Sequence, residues 1–135
     1  MTFAGCFIMG REIENCIIVG AGMGLSASLA SLFRKENMNV VLAARNIKKL
    51  DNFKRELGCH LIQCDASDPT QVEQLFAASD KLIGQPKMVV YNPSARVRGE
   101  ITSLDPLETK QALDITCYGA FLVAQQAAIR MVKQG

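Results

Sequence analysis

The stretch Cys16-Ile17-Ile18-Val19-Gly20-Ala21-Gly22-Met23-Gly24-Leu25-Ser26-Ala27-Ser28-Leu29-Ala30 constrains this chain more than any other. Four apolar or small residues precede Gly20, short enough for a strand buried on both faces. Three glycines then alternate with Ala21 and Met23. Glycine tolerates positive φ and lets another backbone or a ligand approach closely. Beyond Gly24 come good helix formers, small on one side. The first N–H groups of such a helix lack internal partners, and its dipole is positive there. Strand, turn and helix N-terminus together form an anion site, typically for a dinucleotide pyrophosphate, with Gly20, Gly22, Met23, Gly24 and Leu25 around it. The spacing departs from G-x-G-x-x-G, since Leu25 stands where the third glycine would fall. A tight turn with close helix packing would use the same residues.

The remaining pattern repeats the strand-then-helix theme. Leu25, Leu29, Leu32 and Phe33 recur at helical spacing to Lys35. An apolar strand follows over 40–44, then a helix over 47–57 closed by Gly58. A third strand spans 61–64. Asp68-Pro69-Thr70-Gln71 supplies an N-cap, a proline at N1 and a glutamine at N3 for a helix reaching about Ile83. A fourth strand spans 88–91. Asp105-Pro106-Leu107-Glu108 repeats the capping pattern and opens a long helix towards Lys133, apolar almost all round from 112 to 132 and so expected to be covered on more than one side. Strands alternating with helices at this spacing predict right-handed βαβ units. The expected fold is α/β, a Rossmann-like doubly wound parallel sheet of four strands in the order 3-2-1-4 with four helices. Residues 14–135 form the domain and 1–13 a loose N-terminal extension.

Composition narrows the function classes. At 135 residues the chain is one domain, and 49% hydrophobic with 21% charged residues is ordinary for a globular protein. A formal charge of +2, without an arginine-rich or aromatic-interleaved basic run, argues against nucleic acid or an anionic membrane as partner. No secretory leader pattern opens the chain, and no apolar run is expected to approach the length a membrane span needs. Five cysteines without a C-x-x-C pair suit reduced thiols in a cytoplasmic protein, with Cys16, Cys64 and Cys117 packed inside apolar elements. Cys59, His60 and Cys64 read as strand residues rather than metal ligands, since neighbours on a strand point to opposite faces.

In an open parallel sheet, ligands bind at the carboxyl ends of the strands. The second strand ends in Ala44-Arg45-Asn46, where an NAD-preferring fold usually has an acid about 20 residues past the glycines. A guanidinium can hold a 2′-phosphate in two hydrogen bonds, and Lys48 and Lys49 add charge one turn on. This favours NADP over NAD, although a solvated Arg45 would look the same. The third strand leads into Asp65-Ala66, where the carboxylate can accept from an adenine amino group or cap local N–H groups. The fourth leads into Asn92-Pro93-Ser94. Asn92 can bridge neighbouring strands and face a ribose, or form an Asx-turn before proline.

Together these residues resemble the short-chain dehydrogenase/reductase family. Its T-G-x-x-x-G-x-G turn is similar to Val19-Gly20-Ala21-Gly22-Met23-Gly24-Leu25-Ser26, with Val19 for the threonine and Ser26 for the final glycine. Its aspartate after strand three looks like Asp65. Its N-N-A-G sequence resembles Tyr91-Asn92-Pro93-Ser94, which keeps only Asn92. Thr116 stands where the family's long helix carries an asparagine, and that replacement bears on the family's proton relay. The resemblance covers 14–135 and implies an NADP(H)-dependent oxidoreductase passing hydride between nicotinamide and the carbon of a small carbonyl or alcohol. It also implies a homo-oligomer formed through the 106–134 helix.

The family's catalytic serine and Tyr-x-x-x-Lys pair have no counterpart. The only tyrosines, Tyr91 and Tyr118, are followed four residues later by Ala95 and Leu122. The expectation is a cofactor-binding half without catalytic residues, inactive alone. A non-catalytic nucleotide-binding or regulatory module is the alternative. A methyltransferase using S-adenosylmethionine fits less well, because it would want an acid where Ala44-Arg45 stands.

Overall fold

The computed structural model describes residues 14–134. The expected extension over 1–13, with Cys6, lies outside the described residues. Four parallel strands form one sheet in the order β3-β2-β1-β4, as the βαβ pattern predicts. Strand β1 (Asn15–Val19) pairs with β2 (Asn39–Ala44) on one side and β4 (Met88–Tyr91) on the other, and β3 (His60–Gln63) pairs with β2. Helix α1 (Leu25–Lys35) joins β1 to β2, and α3 (Pro69–Ile83) joins β3 to β4. The helix expected over 47–57 begins as a 3-10 turn at Ile47–Leu50, with the Asn46 side chain accepting from the Lys48 N–H, and continues as α2 (Asp51–Leu57).

The central strands carry apolar residues on both faces because helices cover both. Alternate residues therefore feed two cores. Ile17, Val19, Val41 and Ala43 face α3 and the final helix, around Leu75, Phe76 and Val123. Cys16, Ile18, Val40 and Leu42 face α1 and the α2 region, around Ala30, Phe33 and Leu50. Arg34 ties the second layer together: its guanidinium donates to the carbonyls of Leu57 and Met38, both at 2.6 Å. Gly58 takes φ +66° as the left-handed cap of α2.

The two aspartate N-caps read from sequence form. Asp68 accepts from the N–H groups of Thr70 and Gln71, and Asp105 from those of Leu107 and Glu108. The final helix runs from Pro106 to Gln134. It consists of α4 (Pro106–Leu113), a π-helical segment (Asp114–Tyr118), α5 (Gly119–Met131) and a closing 3-10 turn (Val132–Gln134).

Three expectations are corrected here. Among the described residues the final helix is covered on one side only: Gly119, Leu122, Val123 and Ala127 are buried, while Leu113, Tyr118, Phe121, Ile129 and Val132 are exposed. Its apolar perimeter exceeds the surface that this half-sheet and α3 can cover. The same helix is, by length and composition alone, long and apolar enough to cross a membrane. It is nevertheless tied to the sheet's helical layer, where Arg130 donates to Asp80 of α3 at 2.7 Å and lies over the Phe76 ring. Finally, Cys117 is exposed rather than packed, because the π-helical segment carries it on the outer side.

Cys16, Cys59 and Cys64 are buried. Burial pushes Cys16 up to about 12 and Cys64 up to about 11, the latter with help from the charges of Asp65 and Asp68. The folded chain therefore holds these protons above 9.0, the ordinary thiol value, while the unfolded chain releases them. Unfolding then releases protons, and stability falls as pH rises above that value. Chemical denaturation between pH 8 and 11 should show a decline that Cys16→Ala reduces. Among the four described thiols, Cys117 should alkylate first in the folded protein, read by mass spectrometry.

Candidate functional site

The carboxyl ends of all four strands open into one cavity of about 400 Å³. Gly20, Arg45, Asp65, Ala66, Asn92 and Ser94 line it together, as do Ala21, Asn46, Lys49, Cys64, Pro93 and Ile115. Gly22, Met23, Gly24 and Leu25 lie outside this lining, on the rim where α1 begins; Met23 and Leu25 are exposed.

The glycine turn divides into an occupied part and an open part. The N–H groups of Gly20 and Ala21 both donate to the Ala43 carbonyl at 2.9 Å, which pins the turn to the end of β2. Among the described residues, no acceptor bonds the N–H groups of Gly22, Met23 and Gly24. A Cβ added at Gly22 or Gly24 would meet nothing within 4 Å. Donors without partners, before a helix N-terminus and beside open space, fit an anionic group.

Gly20 itself is required by packing. Its φ is +78°, and an added Cβ would lie 2.7 Å from the Pro93 ring and closer still to the Pro93 nitrogen. Ser26, which stands for a glycine of the family turn, is buried inside the same junction. Its hydroxyl donates to the Gly20 carbonyl at 3.3 Å and accepts from Asn92 Nδ2 at 3.0 Å. The Asn92 N–H donates to the Val19 carbonyl. The Asn92 backbone thereby ties β4 to β1, and its side chain ties the loop to α1.

Asp65 takes part of the role its alternative reading describes. Its Oδ1 accepts from the Ser67 N–H at 3.0 Å and the Ser67 hydroxyl at 2.7 Å. Gln71, expected to reach back to the Asp68 N–H, instead accepts from the Asp65 N–H at 2.9 Å and donates to Asp68 Oδ2 at 3.0 Å. These bonds hold Asp65 in place and leave Oδ2 without a partner among the described residues. At the end of the neighbouring strand β2, Arg45 and Lys49 bring two cationic side chains to the cavity.

Sequence reading left Ile115 out of the site, since nothing in a long apolar helix marks a π-helical segment. Lys49 and Asn46 carried a signal, as polar residues one turn beyond the second strand.

Known proteins are similar to this chain in sequence and fold. Residues 20–135 match the family model described as enoyl-(acyl carrier protein) reductase. The chain belongs to the short-chain dehydrogenase/reductase family. It is 26% identical over 121 residues to an uncharacterised oxidoreductase of Staphylococcus aureus, covering 87% of this chain and 52% of that protein. An uncharacterised oxidoreductase of Caenorhabditis elegans is 26% identical over 125 residues, covering 87% and 40%. Among solved structures, a short-chain dehydrogenase/reductase from Mycobacterium marinum superposes with a TM-score of 0.85 at 25% identity, covering 90% of this chain and 51% of that one. An actinorhodin polyketide ketoreductase with NADPH shares the fold, with a TM-score of 0.85 at 22% identity over 90% and 49% of the two chains. The chain thus spans about half the length of the relatives it matches.

Within the short-chain dehydrogenase/reductase fold, Gly20 leaves no room for a side chain. Gly20→Ala combines a left-handed backbone with a clash against backbone and a rigid ring, each costing about 1–3 kcal/mol. It should lower stability by at least about 2 kcal/mol in urea denaturation, whereas Gly22→Ala, facing open space, should leave stability nearly unchanged.

Proposed function

We propose that this chain is the cofactor-binding half of an NADP(H)-dependent short-chain dehydrogenase/reductase. The observation that carries the reading is the convergence of the pinned base of the glycine turn at Gly20 and Ala21, Arg45 with Lys49, Asp65 and Asn92 on one cavity, with the open part of the turn beside it. In this reading, Gly22, Met23, Gly24 and Leu25 surround the pyrophosphate. Arg45, supported by Lys49, holds the 2′-phosphate by charge-assisted hydrogen bonds. Asp65 and Ala66 meet the adenine, with Asp65 Oδ2 as the acceptor for its amino group. Asn92 and Ser94 face the ribose next to the nicotinamide. NADP(H), when bound, supplies hydride exchange with the carbon of a carbonyl or alcohol, and the protein orients it. The ketoreductase that shares this fold was solved with NADPH, which supports the same cofactor class here.

This chain's own residues bind and orient. No serine with a Tyr-x-x-x-Lys pair follows the cavity residues in the sequence, so we infer that the polypeptide alone binds cofactor without turning over a small-molecule substrate. Its buried thiols suit a reducing, cytoplasmic setting. We further infer that the exposed stripe of Leu113, Tyr118, Phe121 and Val132, with Tyr118 stacked on Phe121, pairs with a second copy of the chain. Light scattering should then report a mass that rises above 14.7 kDa with concentration and returns to it in Phe121→Glu.

A thermal-shift comparison of NADP, NAD and S-adenosylmethionine tests the reading, because a ligand that binds only the folded state raises its melting temperature. NADP should give the largest shift. Arg45→Ala should weaken NADP about tenfold or more and leave NAD nearly unchanged, read by titration calorimetry, since hydrogen bonds to charged groups contribute about 1.5–3 kcal/mol. Equal binding of NAD and NADP by the wild type would overturn the assignment of Arg45. No shift with either dinucleotide would overturn the cofactor reading.

A further inference from the structure

After β4 the chain runs on to Arg98 without helix or turn, and burial alternates residue by residue. Pro93, Ala95 and Val97 are half-buried, while Asn92, Ser94, Arg96 and Arg98 are exposed. A period of two is that of an extended chain and puts the exposed set on one face. Asn92 and Ser94 line the cavity, so Arg96 and Arg98 prolong its wall outward. At about 3.3 Å per residue they stand about 7 Å and 13 Å beyond Ser94.

The final helix supports this segment from behind. The Tyr91 hydroxyl donates to the Ile115 carbonyl, and the Thr116 hydroxyl bonds the N–H and carbonyl of Ala95, each at 3.2 Å. Gly119 permits the approach, since a Cβ there would fall 2.7 Å from the Ala66 carbonyl oxygen and closer to the Tyr91 hydroxyl. A turn ends the row: the Ser103 N–H and hydroxyl both donate to the Glu100 carbonyl, at 2.9 and 3.0 Å. The two arginines therefore project from held backbone.

Neither guanidinium has a hydrogen-bond or ion-pair partner among the described residues. Glu100 is the one acid over 92–104 and bonds neither of them. The next acids are engaged elsewhere, Asp105 as the cap of α4 and Asp114 with Lys110 at 2.6 Å. Nor does the cofactor reading use this charge. It puts the 2′-phosphate at the end of β2 with Arg45 and Lys49. Strand order sets β2 and β4 on opposite sides of β1, two strand spacings or about 10 Å apart. The cations at the β4 end lie beyond Asn92 and Ser94, which in that reading face the ribose next to the nicotinamide. A carbon that exchanges hydride lies against the nicotinamide, and the row of arginines leads away from that point.

We propose that Arg96 and Arg98 determine substrate specificity: they bind an oxyanion, carboxylate or phosphate, carried by the carbonyl or alcohol compound that meets the nicotinamide. A planar guanidinium pairs with either group through two parallel hydrogen bonds. The arginines touch the anion and not the reacting carbon. The proposal rests on the reading of this cavity as an NADP(H) site.

The test uses the full chain saturated with NADP, which fills the Arg45 end and cannot reduce a carbonyl. Backbone amide and arginine Nε–H signals are followed by NMR during four titrations: acetoacetate, its neutral methyl ester, dihydroxyacetone phosphate and neutral dihydroxyacetone. In at least one pair the anion should bind at least about tenfold tighter than its neutral counterpart, with the Arg96 and Arg98 signals shifting. The pair that shows the preference tells carboxylate from phosphate. Arg96→Gln and Arg98→Gln should each weaken that anion about tenfold, and both should keep wild-type NADP affinity, which checks that they fold. Arg96→Lys should lose less than Arg96→Gln, since it keeps the charge. Equal binding of charged and neutral probes, or binding of none, overturns the proposal, as does a preference that survives both Gln substitutions. Shifts confined to Arg45 and Lys49 overturn it too. Wild-type chain that binds no NADP overturns the cofactor reading instead, and the same titrations on the free chain then decide whether the arginines bind an anion.

Discussion

The junction of Gly20, Ser26, Asn92 and Pro93 is the constraint on which the site depends. Two separate strand ends meet there at a distance only glycine allows. The Ser26 hydroxyl is buried between the Gly20 carbonyl and the Asn92 amide, so neither bond competes strongly with water. A buried polar group left unpaired costs about 1–3 kcal/mol. The three groups therefore hold one another: losing any one strands the others. The glycine turn is thereby fixed at its base, while the amides of Gly22, Met23 and Gly24 stay open. A rigid base with an open rim is what an anion cradle needs, because the cost of ordering the turn is met in folding rather than in binding.

The sheet places that junction without further help from the loops. Parallel pairing puts all four carboxyl ends on one edge, and the register aligns Val19 with Ala43 and with Tyr91. Residues following those three positions therefore reach the same cavity. Both faces of the central strands are covered by helices, but the far side of β4 is not paired with any described strand. The final helix is in the same condition, buried along Leu122, Val123 and Ala127 and exposed along Phe121 and Val132. The β4 edge presents backbone N–H and C=O groups, and the outer face of the final helix is apolar.

Much of this was legible in the sequence, for identifiable reasons. The strands are short apolar runs bounded by turn residues, and Asp68-Pro69 and Asp105-Pro106 mark helix starts by local chemistry that tertiary structure has no reason to override. Arg45, Asp65 and Asn92 could be named because strand order fixes which ends converge. What sequence did not reveal was long-range or cooperative. The link from Ser26 to Asn92 spans 66 residues. Gln71 satisfies Asp65 rather than its own helix's cap, a choice between two nearby donors that only the loop's path decides. The π-helical segment has no local signal at all. Its extra residue is inserted in a stretch whose apolar pattern already reads as continuous helix, and it becomes necessary only once Tyr91 and Gly119 are brought together.

The departures from the family pattern share a physical logic. Ser26, Tyr91 and Thr116 each replace a residue expected from the resemblance, and each places a hydroxyl against backbone at the same cavity edge. Ser26 bonds the Gly20 carbonyl, Tyr91 the Ile115 carbonyl and Thr116 both polar groups of Ala95. Hydroxyls suit this task because they rotate to donate and accept in whatever direction a neighbouring backbone presents. Pro93 belongs to the same set: lacking an N–H, it can lie against Gly20 without leaving a donor unpaired. Here they meet in one connected set of bonds that joins β1, α1, β4 and the final helix, so a change in any one of them alters the packing that the others require.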